Sequence, residues 1–391
     1  MRIIVYGGTF NPPHLGHVSA LRSAMMQLKP DKTLVIPTGE APHKQFASGS
    51  PDAQTRLELT RRAFEGVDGV EISDMEIRRG GKSYTELTLE EISSDCPGAE
   101  IYLLLGTDMF ESLEQWQDYR LIMRQAVLAP AVRRGDELSE VEVCAKRFAR
   151  EYGAKTVFID HDPISVSSTQ LRELLPERGG LEYLPDAVYS EIIRRRLYGA
   201  RPELDWLREK SEPFLAPKRV PHVRGCSQEA EKLALRWGED PGLAREAGIL
   251  HDITKKLLLD EQLLLCEKYG IINDTVEEQS PKLLHAKTGA ALSKDLFGVW
   301  GKVYNGIRWH TTGRANMSLF EKIIYLADYI EPTRDFDGVE KLRELSYSDI
   351  DGAMILGLQM SLEDLKQHGV NPHRKTVEAL EWLMAERHFR D

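Results

Sequence analysis

Apolar residues follow two rhythms along this 391-residue chain, and the change falls near residue 200. In the first half, short apolar runs at 3–6, 33–37, 70–72, 101–105, 126–129 and 155–159 read as buried strands. Between them, stretches at 15–28, 52–64, 84–93 and 141–152 have the spacing of helices. Strands separated by helices predict a Rossmann-like, doubly wound parallel sheet with helices on both faces. After residue 200 the strand signal stops. Helical spacing continues over 226–237, 242–258, 282–296, 302–309, 319–330 and 376–387, which predicts an all-α domain. The proline- and charge-rich stretch 200–222 is the expected junction, placing the domains at 1–199 and 200–391. Two domains also suit a length beyond what one core usually supports.

Candidate chemistry in the first half lies where the strands end. Gly7, Gly8, Thr9, His14 and His17 follow the first run, and Pro42-His43-Lys44 follows the second. Gly106-Thr107-Asp108 follows the fourth run, and Ser167-Ser168-Thr169 with Arg172 follows the last. Ligands of doubly wound sheets sit beyond the carboxyl ends of the strands. Glycines allow close backbone approach, and hydroxyls at a helix start suit phosphate oxygens. Arginine adds a fork of fixed donors. Each piece alone has a plain structural explanation, but their joint placement points to a nucleotide site.

Composition narrows the partners. A formal net charge of −11 argues against nucleic acid or an anionic membrane as partner, so a phosphate site must make its own local positive field. The first apolar run is four residues long, too short for the core of a signal peptide, and no run approaches a membrane span. Cys96, Cys144, Cys226 and Cys266 lack metal-type spacing and read as reduced thiols. A cytoplasmic protein is expected, with homo-oligomerisation left open.

The early G-G-T-F-x-P-x-H-x-G-H and the late S-S-T-x-L-R resemble the paired signatures of the HxGH nucleotidyltransferases. Over residues 1–198 the chain resembles nicotinate-nucleotide adenylyltransferases. There RGGKSYTELTL (79–89) and LEQWQDY (113–119) look like that family's nicotinate-mononucleotide pocket. The resemblance implies an ATP site of Gly7, Gly8, Thr9, Phe10, His17, Gly106, Asp108, Ser167, Ser168, Thr169 and Arg172. It implies His14, His17 and Arg172 as catalytic groups and Mg²⁺ arriving with ATP. Tyr84, Thr85 and Trp116 would hold the nicotinate mononucleotide, the indole stacking on its ring, and Lys44 would reach the β- and γ-phosphates. Asn11 stands where many relatives carry Asp. A cytidylyl- or pantetheine-phosphate adenylyltransferase is the competing reading.

The second half spaces histidines about one per helix. His222 precedes the 226–237 helix, and His251-Asp252 lies within 242–258. His285, His310 and Asp328 follow on later helices. A lone histidine on an apolar face is usually a satisfied core residue. Asp328 is harder to dismiss, because helical spacing puts it on a face with Phe320 and Ile324. A buried carboxylate costs several kcal/mol unless a charge pairs with it, and a shared metal would satisfy Asp252 and Asp328 together. Imidazole with carboxylate suits iron, manganese or zinc.

The order His…His-Asp…His…His…Asp, with Lys255 extending the pair to HDxxK, resembles the HD-domain phosphohydrolases. PKRVPHVRGCSQEAEKLA, AGILHDITK and LADYIEPTRDFDGVEKLR look like the YqeK family over about 203–391. That resemblance implies a two-metal centre, iron first with manganese or zinc as alternatives, and symmetrical hydrolysis of diadenosine tetraphosphate. The metal ligands would be His222, His251, Asp252, His285, His310 and Asp328. Asp252 and Lys255 would be catalytic, and Arg334 would meet substrate phosphate. Other nucleotides, or a regulatory role without turnover, are the alternatives for this half.

Overall fold

The computed structural model describes residues 1–42, 49–133, 137–162 and 164–388 and divides into units Met1–Arg201 and Pro202–Asp391. Lys44, expected at the phosphates, lies outside the described residues.

In the first unit, seven strands form one parallel sheet. They are β1 (Arg2–Gly8), β2 (Lys32–Pro37), β3 (Val70–Ile72) and β4 (Glu100–Gly106), then β5 (Ala126–Arg133), β6 (Lys155–Thr156) and β7 (Ile159–His161). The order is β3-β2-β1-β4-β5-β6, with β7 also on β5. Ile3, Ile4 and Val5 are all buried, as a strand covered on both faces requires. Val5 lies opposite Leu34 on one side and Leu103 on the other, so the winding reverses between β1 and β4. Ligands of such sheets sit at that reversal. The expected strand at 155–159 is split in two. Val157 N still bonds the Leu128 carbonyl (2.9 Å), and pairing with β5 resumes at Ile159.

Nine helices are described here. They are α1 (Leu15–Leu28), α2 (Ala53–Ala63), α3 (Met75–Arg79) and α4 (Thr85–Asp95), then α5 (Thr107–Glu111) and α6 (Tyr119–Gln125). The last three are α7 (Glu137–Tyr152), α8 (Ser168–Leu174) and α9 (Asp186–Arg195). Phe110 of α5 and Phe148 of α7 join Leu103, Leu105 and Leu128 in the core, their rings edge to face.

The second unit is helical throughout its described residues: α10 (Leu204–Ser211), α11 (Val220–Trp237), α12 (Pro241–Leu250) and α13 (Leu259–Lys268), then α14 (Pro281–Phe297) and α15 (Gly301–Trp309). It closes with α16 (Leu319–Ile330), α17 (Val339–Ser348), α18 (Ile350–Gln367) and α19 (Arg374–His388). Two expectations need correction. His222 lies inside α11, whose first turn carries Pro221 where no N–H is needed, rather than ahead of the helix. The helix expected over 242–258 ends at Leu250, so His251 and Asp252 stand at its C-terminal turn. Short α10 buries Trp206 and Leu207 within this unit. Residues 202–391 alone are therefore expected to be soluble, helical by circular dichroism and metal-binding. An insoluble or metal-free product would show that the unit depends on the first. No helix among the described residues is long and apolar enough to cross a membrane.

Candidate active sites

The first site is a knot of backbone carbonyls tied by side chains from distant elements. β1 runs into a loop where Phe10 takes a left-handed φ of 45° and the Asn11–Pro12 peptide is cis. The Phe10 ring is buried edge to face against Tyr6, His17 and Phe64. Phe10 is one of the residues expected at ATP; its ring packs inside the loop, and a Cβ on Gly8 would sit 3.1 Å from it. Arg172 of α8 donates to the carbonyls of Asn11 (2.8 Å) and Ser168 (3.2 Å) and to Thr169 Oγ1 (3.0 Å). Ser168 Oγ donates to the Pro12 carbonyl at 2.9 Å. The early and late motifs, more than 150 positions apart, are thus bonded directly. Ser167 caps α8 with Gln170, and Gly106-Thr107-Asp108 leaves β4 beside β1.

His14 caps α1, and its backbone N–H donates to His17 Nδ1 (3.1 Å). The two rings lie 3.7 Å apart. Burial pushes His14 down to about 4, and burial with His14 alongside holds His17 well below 6.5. Both shifts favour the neutral imidazole at pH 7. What His17 offers is geometry. Its Nδ1 accepts an N–H, so its proton must sit on Nε2, which makes Nε2 a donor without ionisation. A Cβ on Gly16 would fall 2.9 Å from His14 Nδ1. Gly16→Ala is expected to displace that ring and lower adenylyl transfer about 10- to 100-fold with the fold retained, the scale of a misplaced group. Unchanged turnover would free His14 of any role in alignment.

Tyr84 and Thr85 open α4, and Trp116 is half-buried against the core just before α6. Tyr84 and Thr85 follow β3 in the chain, and Trp116 follows β4.

The second site gathers all six expected ligands from five helices or their ends. His251 Nδ1 donates to the Gly248 carbonyl (2.8 Å), and His310 Nδ1 to that of Ile307 (2.7 Å). His222 Nδ1 donates to Glu331 Oε1 (2.9 Å). Carbonyl and carboxylate oxygens accept, so Nδ1 carries a proton in each of these rings and Nε2 is the nitrogen turned inward. There they meet carboxylate oxygens: Asp252 Oδ2 lies 3.7 Å from His222 and 3.5 Å from His251, and Asp328 Oδ1 lies 3.0 and 3.8 Å from the same pair. His222 Nε2, His251 Nε2 and Asp252 Oδ1 are buried and make no hydrogen bond. A ring nitrogen facing a carboxylate at these distances calls for a proton or a metal ion between them. Two groups, His222–His251–Asp328 and His251–Asp252–His310, hold ligand atoms within 4.8 Å of one another. The donor set fits a divalent metal pair.

Titration agrees in most places. Burial alone would raise Asp252 and Asp328, but the neighbouring histidines, with Arg334 at Asp328, hold both well below 3.8. Burial pushes His285 down to about 3 and lowers His310. His251 goes the other way. Burial would lower it, yet Cys226 and Asp252 outweigh burial and raise it, so a proton and a metal compete for its Nε2. Three placements add exposure or contacts that the sequence does not show. Asp328 is 18% exposed, at the mouth of the centre rather than in the core. His285 faces Asp252 Oδ1 at 3.3 Å, but Lys255 Nζ already occupies its Nε2 at 2.9 Å. Arg334 is bonded to Asp328 Oδ1 at 2.7 Å.

Comparison with known proteins matches the two halves to different families. A Cytidylyltransferase-like family model fits residues 5–174. A probable nicotinate-nucleotide adenylyltransferase of Synechococcus sp. (strain JA-3-3Ab) is 34% identical over 200 residues, 50% of this chain and 94% of that protein. The chain belongs to the nicotinate-nucleotide adenylyltransferase family. Beyond the part shared with that relative, this adenylyltransferase-family chain carries an HD domain, matched over residues 219–333. A Mycoplasma genitalium protein named probable nicotinate-nucleotide adenylyltransferase/Ap4A hydrolase is 26% identical over 366 residues, 92% of this chain and 97% of that one. A solved structure from Clostridium acetobutylicum, described as a predicted HD superfamily hydrolase involved in NAD metabolism, is 36% identical. It covers 46% of this chain and 97% of its own, with a TM-score of 0.45.

Sequence reading missed several residues of this adenylyltransferase. Arg56 of α2, 1% exposed, donates to the carbonyls of Thr9 and Gly39 (both 2.8 Å), tying the loops after β1 and β2. Asn11 accepts from Tyr198 OH (2.9 Å) and donates to Ser50 Oγ (2.9 Å). In the HD domain, Glu331 orients His222, Arg219 donates to Asp252 Oδ2, and Thr311 Oγ1 lies 3.3 and 3.2 Å from the Nε2 atoms of His285 and His310. Only Glu331 had a signal, one helical turn after Asp328. A third ligand-type group, Asp274–Glu277–His373, is already closed by the Lys287 ammonium, 2.6 Å from Glu277.

Proposed function

We infer that the chain joins two enzymes of nucleotide metabolism. Residues 1–199 transfer AMP from ATP to nicotinate mononucleotide, giving nicotinate adenine dinucleotide and pyrophosphate. Residues 200–391 hydrolyse diadenosine tetraphosphate to two ADP. The observation that carries the first reading is the direct bonding of Arg172 and Ser168 to the Asn11 and Pro12 carbonyls, which makes one site of the two motifs. In that step a mononucleotide phosphate oxygen attacks the α-phosphorus of ATP as the bond to pyrophosphate breaks, so alignment is the main task of the protein. Gly7, Gly8, Thr9, Gly106 and Asp108 would line the ATP, with Ser167, Ser168 and Thr169 at its phosphates. His14, His17 and Arg172 would align the reacting groups, and Mg²⁺ would come with the triphosphate. Tyr84, Thr85 and Trp116 would take the nicotinate.

In the HD domain His222, His251, Asp252, His285, His310 and Asp328 would hold the metals, iron first with manganese or zinc as alternatives. A metal pair supplies a water-derived nucleophile at neutral pH and a clamp on the phosphoanhydride. Asp252 would orient the histidines, and Lys255 and Arg334, which rest on His285 and Asp328, would turn to substrate oxygens. Chromatography of products from the full chain tests both readings. ATP with nicotinate mononucleotide should give nicotinate adenine dinucleotide. Diadenosine tetraphosphate with Mn²⁺ or Fe²⁺ should give ADP alone. ATP plus AMP would mean an asymmetric cut, and no reaction would favour a nucleotide-binding regulator.

A further inference from the structure

Three cationic side chains line the mouth of the HD centre. Arg219 donates to Asp252 Oδ2, Arg334 to Asp328 Oδ1, and Lys255 Nζ reaches His285 Nε2. Below them His251, His285 and Asp252 are sealed at 0–1% exposure, whereas the side chains of Arg219, Lys255 and Arg334 are 26%, 32% and 33% exposed. The two arginines arrive from different elements, one just before α11 and the other after α16. They flank one spot, because the oxygens they hold both lie within 3.8 Å of His251 Nε2. Arg219, Lys255 and Arg334 already match the three carboxylates Asp252, Asp328 and Glu331 in number, before any metal is counted. Every divalent ion that enters therefore leaves surplus positive charge facing solvent. One phosphate monoester would use little of that field, while a chain of phosphates spreads its charge across all three cations.

We propose that Arg219 is a phosphate-binding residue of the HD domain, and that with Lys255 and Arg334 it selects a chain of phosphates over a phosphate monoester. The proposal rests on reading this unit as a phosphoanhydride hydrolase. In the protein free of substrate, Arg219 rests on Asp252, and its Nε is buried without a hydrogen bond. When a metal shares the charge of Asp252, the guanidinium fork is released toward substrate oxygens.

Calorimetric titration of the manganese-loaded full chain with inorganic tripolyphosphate tests this. Asp252→Ala provides the background from the adenylyltransferase site. Wild type should show a binding event that Asp252→Ala lacks and that glycerol phosphate does not reproduce. Arg219→Gln should weaken that event roughly 10- to 100-fold, the scale of a lost charge-assisted hydrogen bond, with bound manganese unchanged. Arg219→Lys should recover part of it, keeping the charge but not the fork. The proposal is overturned if Arg219→Gln binds as wild type, if it loses manganese together with tripolyphosphate, if glycerol phosphate binds equally well, or if wild type shows no Asp252-dependent event. Failure of the hydrolase reading looks different: wild type releases no ADP from diadenosine tetraphosphate while the titration still separates wild type from Arg219→Gln.

Discussion

Asp252→Ala should abolish diadenosine tetraphosphate hydrolysis, a fall of about 10³-fold or more, and strip the bound metal. The same preparation should make nicotinate adenine dinucleotide at the wild-type rate. The expectation comes from how one carboxylate divides its two oxygens. Oδ2 faces His222 and His251 at 3.7 and 3.5 Å, and Oδ1 faces His285 and His310 at 3.3 and 3.7 Å. No other carboxylate in the cluster has both oxygens facing histidine Nε2 atoms. Removing it leaves Asp328 facing only His222 and His251, strips His285 and His310 of their carboxylate, and leaves Arg219 and Lys255 without their acid. Asp252→Asn keeps the shape and removes the charge, which separates ligation from packing. Metal retained at the wild-type ratio in Asp252→Asn, with hydrolysis intact, would remove Asp252 from the centre.

How much of this was legible beforehand depends on whether the cause lies in side-chain spacing or in backbone. α1 and α16 are found over 15–28 and 319–330, as their spacing predicts, because each is a single amphipathic segment with a clear start. The 242–258 prediction overran because Ile253, Leu257 and Leu258 continue an apolar rhythm past the point where the chain turns. That turn aims His251 and Asp252 into the centre, and apolar periodicity carries no record of it. α13, α17 and α18 went unread; α18 contains Gly352 and Gly357, which weaken a helical signal although the packed helix tolerates both. The members of the His/Asp cluster were readable, since histidine and aspartate on apolar segments stand out. Arg56 was not. Nothing distinguishes it from Arg61 or Arg62 on the same helix, and its partners are carbonyls, which every residue has.

His17→Asn should lower adenylyl transfer by about 10²- to 10³-fold in kcat, with KM for ATP changing far less, as for a donor used mainly in the transition state. The His14 N–H at the start of α1 donates to His17 Nδ1, so the ring is held from one side and Nε2 carries the proton. Burial disfavours the imidazolium, so at pH 7 the free enzyme presents an N–H rather than a charge. Such a donor costs little to bury, and it strengthens as negative charge builds on the α-phosphate and the leaving oxygen. Asparagine is the informative replacement because its side-chain oxygen can still accept from His14 N, which preserves the start of α1 while withdrawing the inward N–H. His17→Ala removes both, and a larger loss there than in His17→Asn would measure the support the ring lends to the loop. Near-normal kcat in His17→Asn would mean that the phosphates are gripped from the Arg172 side alone.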